Sequence, residues 1–339
     1  MVLLITGGAG FIGANLARYW LERRSDDDVI ALDKLAYGTH PINLASLGDH
    51  PRLKFIQADL ADFKAVRRIF EACPIGGIFH AAAQSHVDKS IADPAGTVQD
   101  NILGTFHLLE AARLFGGRDL RFHYVSTDEV FGQLGPEGVF SESSAYAPDN
   151  PYSATKAAGD HLVGAYCHTY GLKATITHCA NNYGPYQFPD KFIPRMIRRA
   201  IAGEPLPVYG TGENVRDWLH VRDHCRALSA VFDHAQPGET YCVGGGNEWR
   251  NLDLARLLCR LVDAKLDRPA GSSERRIAFV KDRPGHDFRY ALDASKIRRD
   301  LGWSPSVSLE QGLSETIDWY LSRPDWVESV LSSASDFLR

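Results

Sequence analysis

Cysteine is scarce and unpatterned. Six cysteines (Cys73, Cys167, Cys179, Cys225, Cys242 and Cys259) are scattered over 339 residues without any CxxC spacing. A disulfide framework is thereby excluded, and reduced core thiols are predicted. Metal-ligand spacing is also missing from the His, Cys and Asp positions, so no metal is expected. A surplus of positive charge is absent: the formal net charge of -5 offers no global attraction to nucleic acid or to an anionic membrane, and leaves room only for a local basic pocket. No apolar run approaches membrane-spanning length, and the opening MVLLITGGAG lacks the basic start and long apolar stretch of a secretory signal. Neither nucleic acid nor membrane is expected as a partner, and the expected location is the cytoplasm. Internal repeats and low-complexity tracts are lacking too.

What remains is an ordinary globular composition, 44% hydrophobic and 23% charged. The length suits one large or two linked domains with a sizeable core. Val2 to Thr6 is a short apolar run that stops at glycines, Phe11 to Arg23 has helical periodicity, and Val29 to Leu32 is apolar again. Leu53 to Gln57, Gly77 to His80, Phe122 to Val125 and Ala174 to His178 are further strand candidates. They alternate with helical stretches at Lys64 to Cys73, Gly96 to Phe115 and Tyr152 to Tyr170. Such alternation predicts an α/β fold, a doubly wound parallel sheet of Rossmann type. After about residue 180 the chain is dense in Pro, Gly and aromatics, which predicts a loopier half that holds a ligand. The polar stretch Asp267 to Arg276 reads as a mobile surface connection. Residues 1–180 are expected to form the dinucleotide-binding domain, with 217–240 returning to it. Residues 181–216 and 241–339 are expected to form a smaller α/β substrate domain.

TGGAGFIG sets Gly7, Gly10 and Gly13 where the first strand turns into the first helix, with Phe11 and Ile12 between them. That spacing lets backbone approach a pyrophosphate on the helix N-terminus. Asp33 ends the second strand, where an acid accepts hydrogen bonds from an adenosine ribose and repels an added phosphate, so NAD is favoured over NADP. Asp59, after the third strand, is placed to meet the adenine amino group. The neighbouring Lys34 and Leu60, and Ala81 and Ala83 of HAAAQS, are the other expected cofactor contacts, since ligands of open parallel sheets lie at the strands' carboxyl ends.

YSATK places Tyr152 and Lys156 four residues apart on one helical face. An ammonium beside a phenol lowers the phenol's pKa from about 10, which makes Tyr152 a general base for a hydroxyl proton. In VSTDEVFG two acids, Asp128 and Glu129, end the apolar and aromatic run Phe122 to Val125. Burying charge at a strand end is costly unless something requires it. The alternative is that Asp128 merely caps the next turn.

TGGAGFIG, STDE, YxxxK, NNYGPYQFPDK, NVRDW and DRPGHD together resemble the extended short-chain dehydrogenase/reductases and, within them, the dTDP-glucose 4,6-dehydratases, from residue 2 to about 320. The resemblance implies a hydro-lyase with NAD as cofactor and a nucleoside-diphosphate glucose as substrate. It assigns Asp128 as acid and Glu129 as base, with Thr127 bonding near the carbon 4 oxygen. The chemistry suits two acids. Carbon 5 carries no acidic hydrogen until carbon 4 is a ketone, and the hydroxide at carbon 6 leaves only if protonated; adjacent carboxyls in a dry site separate their pKa values. By the same resemblance Asn181, Lys191, Arg216, Asn251, Arg283 and His286 would hold the diphosphate and nearby sugar, with Asp190 beside Lys191 and Tyr209 near the nucleoside. Ser85 and Asp88 would touch cofactor or sugar, or simply start a helix, and His86 reads as structural. A homodimer is implied, through the helices around Gly96 to Phe115 and Tyr152 to Tyr170. Gln84, Phe131, Asp190 and His220 depart from the family pattern and leave open the nucleotide base and the sugar.

Two enzyme alternatives stand beside this reading, a UDP-glucose 4,6-dehydratase and a nucleotide-sugar 4-epimerase. The epimerase needs no acid and base for elimination, so the Asp128 and Glu129 pair speaks against it. A GDP-mannose-type dehydratase would carry Ser in the middle of the trio. A non-catalytic NAD-binding scaffold is the remaining alternative, because fold alone does not fix function.

Overall fold

In the computed structural model, which describes residues 1–282 and 285–335, the short apolar runs become strands. These are β1 (Val2–Thr6), β2 (Asp28–Asp33), β3 (Leu53–Gln57), β4 (Ile75–His80), β5 (Arg121–Thr127) and β6 (Lys173–Cys179). In β1, Leu3, Leu4 and Ile5 are fully buried, as are Val29 and Ala31 in β2, so these two strands have no solvent face there, while the edge strand β3 exposes Phe55. Only a sheet covered by helices on both sides accommodates such runs. The later strands are β7 (Asn181–Tyr183), β8 (Leu206–Tyr209), β9 (Val215–His220), β10 (Thr240–Val243), β11 (Glu248–Arg250) and β12 (Ile277–Val280).

Seven strands form one parallel sheet in the order β3-β2-β1-β4-β5-β6-β10. The winding direction reverses between β1 and β4, which opens a crevice at the carboxyl ends of those strands. Helices Phe63–Ala72, Gly104–Phe115 and Pro151–Tyr170 cover one face around Val66, Leu108, Leu109 and Val163. Phe11–Arg23 and Val221–His234 cover the other, where Leu16, Ala17 and Trp20 meet Val221, Leu228 and Phe232. β10 reaches the sheet only after the chain has left it for β7, β8 and β9.

The helical stretch expected at Gly96 to Phe115 begins earlier, at Pro94, because Asp93 caps it by accepting the Gly96 N–H at 2.9 Å. A π-helical turn at Gln99–Leu103 interrupts it. The Pro151–Tyr170 helix starts at a capping box: Asn150 Oδ1 accepts the Ser153 N–H at 2.9 Å, and Ser153 Oγ accepts the Asn150 N–H at 3.2 Å. Pro151 occupies the first helical position.

The second half is more regular than the expected loops. β9 lies between β7 and β11, and β8 pairs with β12. Helices Phe192–Ala202, Asn251–Lys265, Leu309–Leu321 and Pro324–Ser335 close a core of their own. Ile193, Met196, Ile197 and Ala200 recur at helical spacing and are buried, a period masked by the Pro- and Gly-rich segments on either side. The connection from Asp267 to Arg276 is anchored rather than loose. Arg268 donates to the carbonyls of Ala200 and Ile201 at 2.6 and 2.7 Å, and Ser273 bonds Asp263 through its N–H (3.0 Å) and hydroxyl (2.6 Å).

All six cysteines are free thiols. Among the described residues, no group of three His, Cys, Asp or Glu side chains is placed to hold a metal, and no helix is long and apolar enough to cross a membrane.

Candidate active site

The crevice at the β1/β4 reversal is the candidate site. Gly7, Gly10, Phe11, Ile12, Gly13, Asp33, Lys34, Asp59, Leu60, Ala81 and Ala83 line one part of it, and Thr127, Asp128, Glu129, Tyr152 and Lys156 line another. The fit to a dinucleotide rests on three features. A Cβ on Gly13 would stand 2.2 Å from the Gly7 carbonyl oxygen, so the turn closes only on glycine. The Phe11–Arg23 helix begins at Gly10 with no side chain capping its first amides, which leaves them to a ligand's phosphates. Asp33 Oδ1 and Oδ2 accept the N–H groups of Leu35 (2.8 Å) and Ala9 (3.1 Å), fixing a buried carboxyl at the end of β2. Burial raises its pKa against those bonds. Lys34 bridges Asp59 and Asp100, so both lysine and acid border the crevice as an ion pair.

The two acids follow β5 in a short 3-10 turn, Asp128–Phe131. Thr127, and not Asp128, caps that turn: its Oγ1 accepts the Glu129 N–H at 3.3 Å and donates to Asp128 Oδ1 at 3.2 Å. The capping alternative for Asp128 therefore fails. Asp128 Oδ2 and Glu129 Oε2 are buried atoms without a hydrogen-bond partner. Burial, the Glu129 charge and then Asp217 push the Asp128 carboxyl well above the ordinary carboxylate range, against the opposing pull of Arg216. Burial thus favours the protonated form of Asp128 over its carboxylate.

Tyr152 and Lys156 both reach the crevice, but their electrostatics differ from the expectation. Burial, then the Glu129 charge, drive the Tyr152 phenol well above its ordinary value instead of below it. The Lys156 ammonium donates to the Val125 carbonyl at 2.7 Å and lies 3.9 Å over the Tyr124 ring. Desolvation brings Lys156 down to about 8. Spacing placed the two on one helical face, and both line the crevice, whereas the sign of the phenol shift depends on burial that spacing does not reveal.

Of the expected substrate contacts, Ser85, Asn181, Asp190 and Lys191 line the same crevice, with Lys191 Nζ donating to the Ser85 carbonyl at 3.0 Å. Tyr209, Arg216, Asn251 and His286 do not line it. Arg216 is buried at the start of β9, donating to the carbonyls of Val215 (2.7 Å) and Asp287 (2.8 Å) with its guanidinium 4.3 Å from the Tyr290 ring centroid. The Tyr209 and His286 rings stand 6.1 Å apart, and Asn251 opens the Asn251–Lys265 helix. Arg283 lies outside the described residues.

Sequence reasoning missed Tyr37 and set aside His86. The Tyr37 hydroxyl donates to Asp190 Oδ2 at 2.6 Å, and His86 Nε2 is 2.9 Å from the same oxygen. His86 also lines the crevice. Asp190 is held by these two rings, a contact that only the folded chain brings together. The other departures sit in ordinary roles: Gln84 Oε1 accepts the His86 N–H, Phe131 stacks near His178 and Tyr146, and His220 caps the Val221–His234 helix.

Comparisons agree with this geometry. The GDP-mannose 4,6 dehydratase family model matches residues 4–316. A dTDP-glucose 4,6-dehydratase of Neisseria meningitidis serogroup B is 47% identical, covering 98% of this chain and 96% of the relative. DesIV, a dTDP-glucose 4,6-dehydratase from Streptomyces venezuelae solved with NAD and TYD bound, superposes with a TM-score of 0.90 at 41% identity, covering 97% of this chain and 100% of that one. A dTDP-glucose 4,6-dehydratase from Bacillus anthracis, in complex with NAD, gives 0.87 at 37% identity over 97% and 99%. The chain belongs to the extended short-chain dehydrogenase/reductases and, within them, to the dTDP-glucose 4,6-dehydratase family.

Proposed function

We propose that the protein dehydrates dTDP-glucose to its 4-keto-6-deoxy sugar with NAD as a recycled cofactor. One observation carries the reading. A phenol and ammonium pair suited to oxidising an alcohol shares a crevice with two adjacent carboxyls at different depths, the more buried of them biased toward its protonated form. An epimerase has no use for the second pair.

When bound, NAD supplies the acceptor for the carbon 4 hydride and the donor that returns it to carbon 6. Tyr152 takes the carbon 4 hydroxyl proton. Its phenol resists ionisation, so the nearby Lys156 ammonium must remain charged to offset that resistance. With carbon 4 a ketone, Glu129 removes the carbon 5 proton while Asp128 protonates the carbon 6 hydroxyl, which leaves as water. Glu129 then gives its proton back to carbon 5, and the proton gained by Tyr152 balances the one lost by Asp128. Thr127, bonded to Asp128, orients that acid and borders the carbon 4 oxygen.

Ser85, Asn181, Asp190 and Lys191 would meet the sugar. Arg216, Asn251, His286 and Tyr209 would meet the diphosphate and nucleoside from the β8 and β9 side. The expected division, a dinucleotide-binding unit of residues 1–180 and 217–240 beside a substrate unit built from the rest, needs a shift at both edges of the returning segment: β10 (Thr240–Val243) completes the parallel sheet, and β9 (Val215–His220) pairs outside it. A homodimer is supported by Ile91, Val98, Leu103 and Phe106, large apolar side chains exposed along the helical segments from Val87 to Phe115. A cytoplasmic location suits the free thiols.

The test is incubation with NAD and either dTDP-glucose or UDP-glucose. Formation of the 4-keto-6-deoxy sugar, with deuterium from carbon 4 appearing in the product methyl, is the expected result. A carbon 4 epimer would overturn the reading.

A further inference from the structure

Behind the crevice lies a buried polar cluster that the mechanism above leaves unused. Asp160 is one helical turn beyond Lys156 in the Pro151–Tyr170 helix, so the two side chains leave the same face. The Asp160 side chain is 1% exposed. Its Oδ2 accepts the Ser126 hydroxyl at 3.0 Å and stands 3.0 Å from His178 Nε2, while its Oδ1 has no hydrogen-bond partner. Ser126 immediately precedes Thr127 on β5, and His178 belongs to β6. A carboxyl in that place costs desolvation energy on folding, and replacement by an apolar side chain would avoid it.

The surroundings show what the charge faces. Beside Lys156 the sheet presents His80 from β4, Tyr124 and the Val125 carbonyl from β5, and Cys179 from β6. Around Asp160 stand Tyr124, Ser126, Tyr146 and His178. Of the charged groups acting on Lys156, Asp160 is the foremost that favours the ammonium; Cys179 follows it, and its thiol is itself pushed up to about 12 by burial. Gly159 completes the arrangement. A Cβ there would meet the Tyr124 hydroxyl at 2.1 Å and its Cζ at 2.6 Å, so only glycine lets the aromatic ring lie beneath the Lys156 ammonium.

We infer that Asp160 is a positioning residue, a fixed buried carboxylate that keeps Lys156 in its ammonium form and, through Ser126, ties the catalytic helix to the strand bearing Thr127, Asp128 and Glu129. This rests on the role given to Lys156 in the proposed function. In a site from which water is excluded, the ammonium has no solvent to sustain its charge, and a carboxylate one turn away does so in place of water.

The test reads Lys156 directly in the full-length protein. The 13Cε resonance of Lys156, assigned by its loss in Lys156→Arg, is titrated in wild type and in Asp160→Asn, Asp160→Ser, Asp160→Glu and Ser126→Ala. The two neutral variants at Asp160 are expected to lower the Lys156 midpoint by about one pH unit or more. Their kcat on dTDP-glucose should fall about fivefold or more at pH 8 and change little at pH 6.5, with KM nearly unaltered. Asp160→Glu and Ser126→Ala keep the charge and should keep the wild-type midpoint. An unshifted midpoint in a folded neutral variant would overturn the inference. So would failure of both neutral variants to fold while Asp160→Glu folds, since the carboxylate would then be a purely structural requirement. A wild-type protein without turnover of dTDP-glucose would sink the functional reading alone, because the resonance titrates without substrate.

Discussion

Asp128 and Glu129 are neighbours in the chain but occupy different surroundings: Asp128 is 2% exposed behind the Thr127 hydroxyl, while Glu129 is half-buried on the crevice side. Like charges on adjacent acids oppose each other, and the deeper burial of Asp128 pushes its carboxyl toward the protonated form. The proposed division into acid and base follows that difference in depth.

Removing either acid should therefore stop elimination in a distinguishable way. Asp128→Asn and Glu129→Gln should each lower kcat by roughly a hundred- to ten-thousandfold. In deuterated water, Asp128→Asn should still exchange the carbon 5 hydrogen of the bound sugar, because the base remains, whereas Glu129→Gln should not. Mass spectrometry of recovered sugar checks this, and exchange retained in Glu129→Gln would remove that residue from the role.

The same burial has a cost in stability. A carboxyl whose folded pKa is raised contributes fully below its unfolded value of about 4 and loses that contribution as pH rises through the folded value. At pH 8 the native state must keep Asp128 protonated or bury its charge. Asp128→Asn should thus be more stable than wild type at pH 8 by about 1–3 kcal/mol, an advantage that vanishes near pH 4. Thermal unfolding at the two pH values measures the difference.

Three core histidines set the acid limit. His80, His123 and His224 are fully buried and pushed down to about 3 by desolvation. Their folded values lie below the unfolded 6.5, so the stability of their neutral forms is complete above that pH and is lost as pH falls toward 3. Each should cost about 2 kcal/mol at pH 5. Both ring nitrogens of His224 lack a hydrogen-bond partner, so His224→Leu should flatten the decline between pH 7 and 5 in urea unfolding. An unchanged slope would exclude His224 as a source.

Asp33 should decide between the two nicotinamide dinucleotides. Asp33→Ser removes the carboxyl that would repel a ribose phosphate, and is expected to weaken NAD binding about ten- to hundredfold while admitting NADP. Calorimetric titration with each dinucleotide gives the ratio. Since Asp33 also accepts the Ala9 and Leu35 N–H groups, part of the loss should appear as a lower Tm.

Much of this site was legible before any coordinates because its parts are local. The glycine turn, the acid ending β2 and the Tyr152 and Lys156 pair each need only a short stretch of chain, and the strand runs up to β6 were identifiable from their apolar bounds. What escaped depends on distant segments meeting. The clasp of Tyr37 and His86 on Asp190 joins three segments of chain. The rise of the Tyr152 phenol reflects burial, which residue spacing does not encode. The helices of the second half were obscured by their Pro- and Gly-rich surroundings, and their apolar faces became evident only as a shared core.

β9 carries Arg216, near Asp128, as its second residue and runs directly into the Val221–His234 helix, whose Val221, Leu228 and Phe232 rest on the Phe11–Arg23 helix. The arginine that senses the acid and the amides awaiting pyrophosphate are therefore mounted on a single stiff truss. Cofactor and sugar would be gauged against one ruler, so a packing defect between those helices, far from any reacting atom, would show itself as misregistration of one ligand against the other.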